Sequence, residues 1–145
     1  MTRGYAAIAV DSIRNVLNVG GVIRAAQVYG ASLVVVGAQR YKHQPMDAMK
    51  GYRHIPVLNL ENILDSIPYD CVPVAVELVD SAVSLIDYKH PERAFYIFGG
   101  EDCTLGQRIL SKCRDVVQIP TNGPMNLAAC VNVVLYDRLA KQVTR

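Results

Sequence analysis

Three short segments of this 145-residue sequence combine glycines, amides and charges at spacings that suit ligand chemistry. In the first, Asn18-Val19-Gly20-Gly21-Val22-Ile23-Arg24, Gly20 and Arg24 stand one helical turn apart and share a face. A glycine there admits another backbone or a ligand, and the planar arginine fork suits a phosphate or ribose oxygen. Taken alone, a solvated arginine on an exposed helix explains the pair more simply. The second segment, Phe98-Gly99-Gly100-Glu101, runs a strand into two glycines, which would bare backbone groups to a cofactor. Glu101 is either a functional carboxylate or an acid placed near a helix N-terminus, where the dipole favours it. The spacing is not that of a dinucleotide or phosphate-binding loop. The third, Ile119-Pro120-Thr121-Asn122-Gly123-Pro124-Met125-Asn126, is a rigid, turned loop. Its amide and backbone groups suit an adenine or a carboxylate, and Asn126 is a natural helix N-cap that needs no function to explain it.

The elements that must position these segments alternate. Near-continuous apolar runs at Tyr5 to Val10, Ser32 to Val36, Val72 to Val79, Ala94 to Phe98 and Val116 to Ile119 suit strands buried on both faces. A shorter run at Ile55 to Leu58 suits an edge segment. Helical patterns lie between them, at Val19 to Tyr29, Leu60 to Ile67, from Thr104 to about Cys113, and from Leu127 onward. Asn18 and Gly30 are placed to cap the first of these, and Thr104-x-x-Gln107 has the spacing of a capping box. Alternation implies a three-layer α/β domain with a mainly parallel sheet, in which ligands bind beyond the carboxyl ends of the strands. The loops after Val10, Val36, Val76, Phe98 and Ile119 are therefore the expected site.

Composition narrows the partners. The length fits one domain, residues 1–145, able to bury a core without staples. Four cysteines lie scattered without metal-ligand spacing, so the reading is reduced thiols and no metal. No apolar run is long enough to span a bilayer and no signal peptide is evident, which predicts a cytoplasmic protein with no membrane partner. A net charge of +2 permits a nucleic-acid partner without arguing for one. The stretch from Arg40 and Lys42 to Lys50 and Arg53, interleaved with Tyr41, Tyr52, His43 and His54, suits phosphate contact with base stacking. A solvated loop whose tyrosines cover core edges explains it equally well.

Together the segments resemble the SpoU family of RNA 2′-O-ribose methyltransferases, of TrmH and TrmL type, within the knotted SPOUT class. Asn18-x-Gly20-x-x-x-Arg24-x-Ala26-x-x-x-Gly30 is similar to the family's first motif, and Phe98-Gly99-x-Glu101-x-x-x-Leu105 to its second. Ile119-Pro120, Met125-Asn126-Leu127 and Leu135-Tyr136-Asp137 resemble its third. Three motifs in order over nearly the whole chain are far more specific than any one. The sequence departs from the pattern at Thr104, Thr121, Pro124 and Ala128, and its loop from Pro120 to Asn126 is short.

The resemblance implies a C-terminal deep trefoil knot holding S-adenosylmethionine, with Val76, Gly99, Gly100, Ile119, Pro124 and Met125 lining the cofactor pocket. It implies a homodimer built on the first and last helices, in which one subunit's cofactor meets the other's Arg24. The reaction implied is in-line attack of a ribose 2′-hydroxyl on the donor methyl, with tRNA ahead of rRNA as substrate. Arg24, Asn18, Glu101 and Asn126 are the implied catalytic set; a guanidinium holds its proton too tightly to be an easy base, which gives Arg24 the phosphate and the developing alkoxide. Arg40, Lys42, Lys50 and Arg53 are the expected RNA contacts. Alternatives are a cofactor- and RNA-binding protein without turnover, a base methyltransferase of the same class, or a mononucleotide-binding α/β domain with no RNA role.

Overall fold

The computed structural model describes residues 4–13, 17–37, 53–100 and 105–143. Among these residues, seven strands form one sheet: β1 Tyr5–Asp11, β2 Leu33–Gly37, β3 Val57–Leu60, β4 Val72–Val76, β5 Val83–Ser84, β6 Arg93–Gly99 and β7 Asp115–Gln118. Their order across the sheet is β3-β2-β1-β6-β4-β7-β5, and each recorded pairing is parallel. Among the described residues, the α-helices are α1 Leu17–Val28, the single turn α2 Gln107–Leu110, and α3 Leu127–Val143.

The sheet is buried on both faces, which is why its central strands read as unbroken apolar runs. Along β1, Ile8 and Val10 face α1 and α3, joining Val22, Ile23, Ala26, Val131 and Val134 in one core. Ala7 and Ala9 point the other way, into a second core with Phe95, Ile97, Ile63 and Ile109. Among the described residues, α2 and a 3₁₀ turn at Ile63–Ser66 cover this second core. Each fully buried valine, isoleucine or phenylalanine contributes about 1.5–3 kcal/mol against exposure. Among the described residues, no helix is long and apolar enough to cross a membrane.

Helix ends follow their local chemistry, with some corrections to the sequence reading. Gly30, at φ 72°, closes α1: Ala31 N–H donates to Ala26 O at 2.8 Å and Gly30 N–H to Gln27 O at 3.3 Å. Asn18 does not cap this helix; α1 starts at Leu17, so Asn18 lies inside its first turn. The helix expected over Leu60 to Ile67 is the 3₁₀ turn, where the Asn62 side chain accepts the Leu64 N–H, while Leu60 ends β3. α2 begins after Gly106 without a side-chain cap and lasts one turn; Thr104 falls outside the described residues.

α3 is anchored from beneath by a buried polar chain. Arg138, 5% exposed, donates through Nη1 to Pro91 O at 2.6 Å and to Tyr96 Oη at 3.1 Å, and through Nη2 to Glu92 O at 2.7 Å. Tyr96 Oη lies 2.7 Å from His90 Nδ1, and His90 Nε2 lies 2.7 Å from Asp137 Oδ2. Burial holds His90 below the usual imidazole range and pushes the Tyr96 phenol up to about 12. Neutral His90 therefore accepts from Tyr96 at Nδ1 and donates to Asp137 from Nε2, so every member of the chain is satisfied.

Candidate functional site

The carboxyl ends of β4, β6 and β7 lie side by side, Val76 pairing with both Phe98 and Val117. Beyond them opens a cleft of about 190 Å³, lined by Val76, Gly99, Ile119, Pro124 and Met125 together with residues the sequence reading did not single out. A second cavity, between α3 and the end of α1, measures about 30 Å³ and has room for little more than water. The cleft's remaining walls include Phe98 and Leu127 from the sheet edge and the start of α3. They are mostly apolar, as expected of a small-molecule site.

Gly100, also expected in the pocket, is placed elsewhere. It is buried outside the cleft lining, its N–H donating to Asp11 O at 2.9 Å. A Cβ there would fall 2.7 Å from Ser12 O and 2.8 Å from Ile13 Cα. This glycine therefore serves the close crossing of two backbones at the exits of β1 and β6. Ser12 itself takes φ 55°, a left-handed conformation that costs a non-glycine residue about 1 kcal/mol or more.

The loop before α3 is braced from within. Thr121 Oγ1 donates to Gly123 O at 2.7 Å, and Asn126 Oδ1 accepts the Ala129 N–H at 2.8 Å. Asn126 is thus the N-cap of α3, its side-chain oxygen satisfying one of the helix's first N–H groups. Cys130, on the cleft wall, has its thiol pushed up by burial, which keeps it protonated and a poor nucleophile.

Arg24 and Asn18 lie on α1 and are not among the residues lining the cleft. Arg24 is exposed. α1 and α3 approach closely at Gly21, where a Cβ would stand 2.9 Å from the Ala128 Cβ. Across the same pair of helices, Val28 is 65% and Tyr136 61% exposed, and Tyr29 meets Tyr136 edge-on at 6.5 Å. Glu101, Arg40, Lys42 and Lys50 lie outside the described residues; Arg53 is exposed. Among the described residues, no group of three or more His, Cys, Asp or Glu is placed to hold a metal.

The sequence reading missed Glu77. Its carboxylate accepts the Leu78 N–H at 2.9 Å and the Leu105 N–H at 2.6 Å, on the rim of the cleft. It was hidden by the apolar run Val72 to Val79, which reads as one strand although β4 ends at Val76. Its position just after a strand end, beside the expected site, was the available signal.

A parallel α/β sheet with an apolar cleft at the carboxyl ends of three strands defines a small-molecule-binding α/β class, and the comparisons narrow it. The profile of the SpoU rRNA Methylase family matches residues 5–136, and the chain belongs to that family. A protein of Archaeoglobus fulgidus, described as an uncharacterized tRNA/rRNA methyltransferase, is 26% identical over 94% of this chain. The chain spans 65% of that relative's length. The SpoU methyltransferase AviRb of Streptomyces viridochromogenes, solved in complex with AdoMet, superposes with a TM-score of 0.85 at 16% identity, over 100% of this chain and 63% of its own. A structure solved to explain 2-OH methylation of C/U34 on tRNA gives 0.82 at 20% identity, over 98% of this chain and 99% of its own.

Proposed function

We propose that this chain is a methyltransferase that uses S-adenosylmethionine to modify a ribose 2′-hydroxyl in RNA, with tRNA ahead of rRNA as substrate. The observation that carries this reading is the single cleft gathering Val76 and Gly99, the last residues of β4 and β6, with Ile119, Pro124 and Met125 from the loop after β7. The cleft's chemistry fits the cofactor: apolar walls for adenine and methylene groups, backbone at Gly99 open to close approach, and a carboxylate at the rim facing a cationic ligand. When bound, S-adenosylmethionine supplies an electrophilic methyl on a sulfonium. The reading includes a trefoil knot formed by the chain around this cleft.

The protein's own tasks are alignment and charge stabilisation. Arg24, absent from the cleft of its own chain, is assigned to the cleft of a partner in a homodimer. There its fork binds the phosphate beside the target ribose and stabilises the developing alkoxide. The exposed Val28 and Tyr136 beside it supply apolar area for an isologous interface across α1 and α3. Asn18 and Glu101 orient the arginine or the ribose, and Asn126 fixes the start of α3. Arg40, Lys42, Lys50 and Arg53 carry the RNA backbone.

Methyl transfer from labelled cofactor to bulk tRNA and rRNA, with the product nucleotide mapped by mass spectrometry, tests the reading. A 2′-O-methylated nucleotide in tRNA is expected; a base-methylated product, or none from either RNA, would defeat it. A cofactor- and RNA-binding protein without turnover is the second reading. It is favoured by the short loop from Pro120 to Asn126 and by Thr104 and Pro124, where the sequence departs from the family's motifs. Cofactor binding by calorimetry with no transfer to either RNA would select it.

A further inference from the structure

Among the described residues lining the cleft, Glu77 alone carries a charge. It is held at three points. Its N–H donates to Val117 O at 2.9 Å, Oε1 accepts from Leu78 at 2.9 Å, and Oε2 accepts from Leu105 at 2.6 Å. These amides belong to the end of β4 and to the approach to α2, so the carboxylate is oriented before any ligand arrives. Each oxygen retains acceptor capacity after one N–H bond. A fixed charge beside apolar walls needs little reorganisation to meet an opposite charge, and the interaction is stronger there than in open water.

We infer that Glu77 is a specificity-determining residue: it makes the cleft prefer a positively charged sulfonium ligand over the neutral thioether left after methyl transfer. The inference rests on the reading of this cleft as the S-adenosylmethionine site. Donor and product share adenine, ribose and the amino-acid group, and differ in one methyl and one positive charge. Apolar walls read a single methyl weakly. Loss of the methyl to the ribose oxygen leaves its bonding electron pair on sulfur and removes the positive charge there, while the hydroxyl proton goes to solvent. The attraction to Glu77 ends with that step, which favours release of the product and entry of fresh donor.

Calorimetry of the full chain with S-adenosylmethionine and S-adenosylhomocysteine, on wild type and Glu77→Gln, tests this. Glutamine keeps the size and one acceptor oxygen but carries no charge. Expected is about a tenfold loss of S-adenosylmethionine affinity in the variant, with S-adenosylhomocysteine changed less than about twofold. Equal weakening of both ligands would show that Glu77 only holds the cleft wall, and no change in either would also overturn the inference. Should Glu77→Gln fail to fold, a salt titration of the wild type decides: affinity for the sulfonium should fall with ionic strength while that for the thioether stays flat. Parallel salt curves overturn it. If the wild type binds neither ligand, the cofactor reading itself fails, a result distinct from binding without discrimination.

Discussion

His90 Nε2 meets Asp137 Oδ2 at 2.7 Å, joining the segment that leads into β6 to the middle of α3. Asp137 also receives Lys141 Nζ at 2.8 Å, one turn further along the same helix. Lys141 donates in turn to Tyr88 O at 2.7 Å, and the Tyr88 ring packs edge-on against His90. Arg138 completes the surround from α3, and Tyr96 from within β6. The loop that opens the cleft continues directly into α3, so this polar anchor fixes the far end of the element that Asn126 starts.

Stability should fall on the acid side because of His90. Burial is the main cause of its lowered pKa, and Lys141 and Arg138 push the same way against the Asp137 hydrogen bond. In the unfolded chain the imidazole titrates near its ordinary value of about 6.5. Below that pH the unfolded state takes up a proton that the folded state refuses, so the contribution is full above about 6.5 and is lost as pH drops toward the folded value. Urea midpoints measured at about pH 7.5 and 5.5 should separate in the wild type and separate less in His90→Gln. Equal separation in both proteins would remove His90 from the acid response.

Gly100→Ala should destabilise the protein even though the residue is not in the cleft lining. The added methyl would meet the backbone of Ser12 and Ile13, at 2.7 and 2.8 Å, and no flexible side chain is there to yield. Overpacking against backbone costs about 1–3 kcal/mol. A lowered denaturant midpoint with an unchanged slope is expected. A neutral result would mean that the crossing of the β1 and β6 exits is loose.

Much of this arrangement is legible in the residues, and its gaps have physical causes. The strands through Ile8, Val34, Val74, Tyr96 and Val117 announce themselves because both faces of the sheet are covered. β5 has two residues, Val83 and Ser84, too few to show any alternation. Leu60, Ile63, Leu64 and Ile67 have helical spacing, yet Leu60 pairs with Gly37 in the sheet and Asn62 turns the chain into a 3₁₀ helix. The five cleft residues were reached through a family resemblance, whereas Gly99 and Pro124 by themselves mark only a turned loop. Glu77 stayed hidden because the apolar residues Leu78 and Val79 continue the run past it, although β4 ends at Val76.

Mixed dimers should reveal the shared site. Arg24→Ala leaves the cofactor cleft intact, and Gly99→Trp blocks the cleft while keeping Arg24. Each homodimer should lose methyl transfer by at least about 100-fold, the scale for removing a charge-stabilising group or the cofactor site. Co-expressed, random pairing puts half the dimers in the mixed state, each with one complete site, so activity should return to about a quarter of wild type. No recovery, with mixed dimers confirmed by native mass spectrometry, would place Arg24 in the site of its own chain.

RNA affinity should depend on salt through the segment that begins at Arg40. Each phosphate neutralised by a cationic side chain releases a counterion, so the slope of log affinity against log salt counts such contacts at about 0.7–0.9 each. Arg53, the one of the four proposed contacts in the described residues, is exposed. Replacing Arg40, Lys42, Lys50 and Arg53 by alanine together should weaken tRNA binding and reduce the slope by up to about 3. Affinity for S-adenosylmethionine should not change, because the proposed task of the four is to hold the RNA backbone. A weakened complex with the wild-type slope would assign the loss to altered loop structure, and an unchanged complex would direct the search for the RNA surface to other cations.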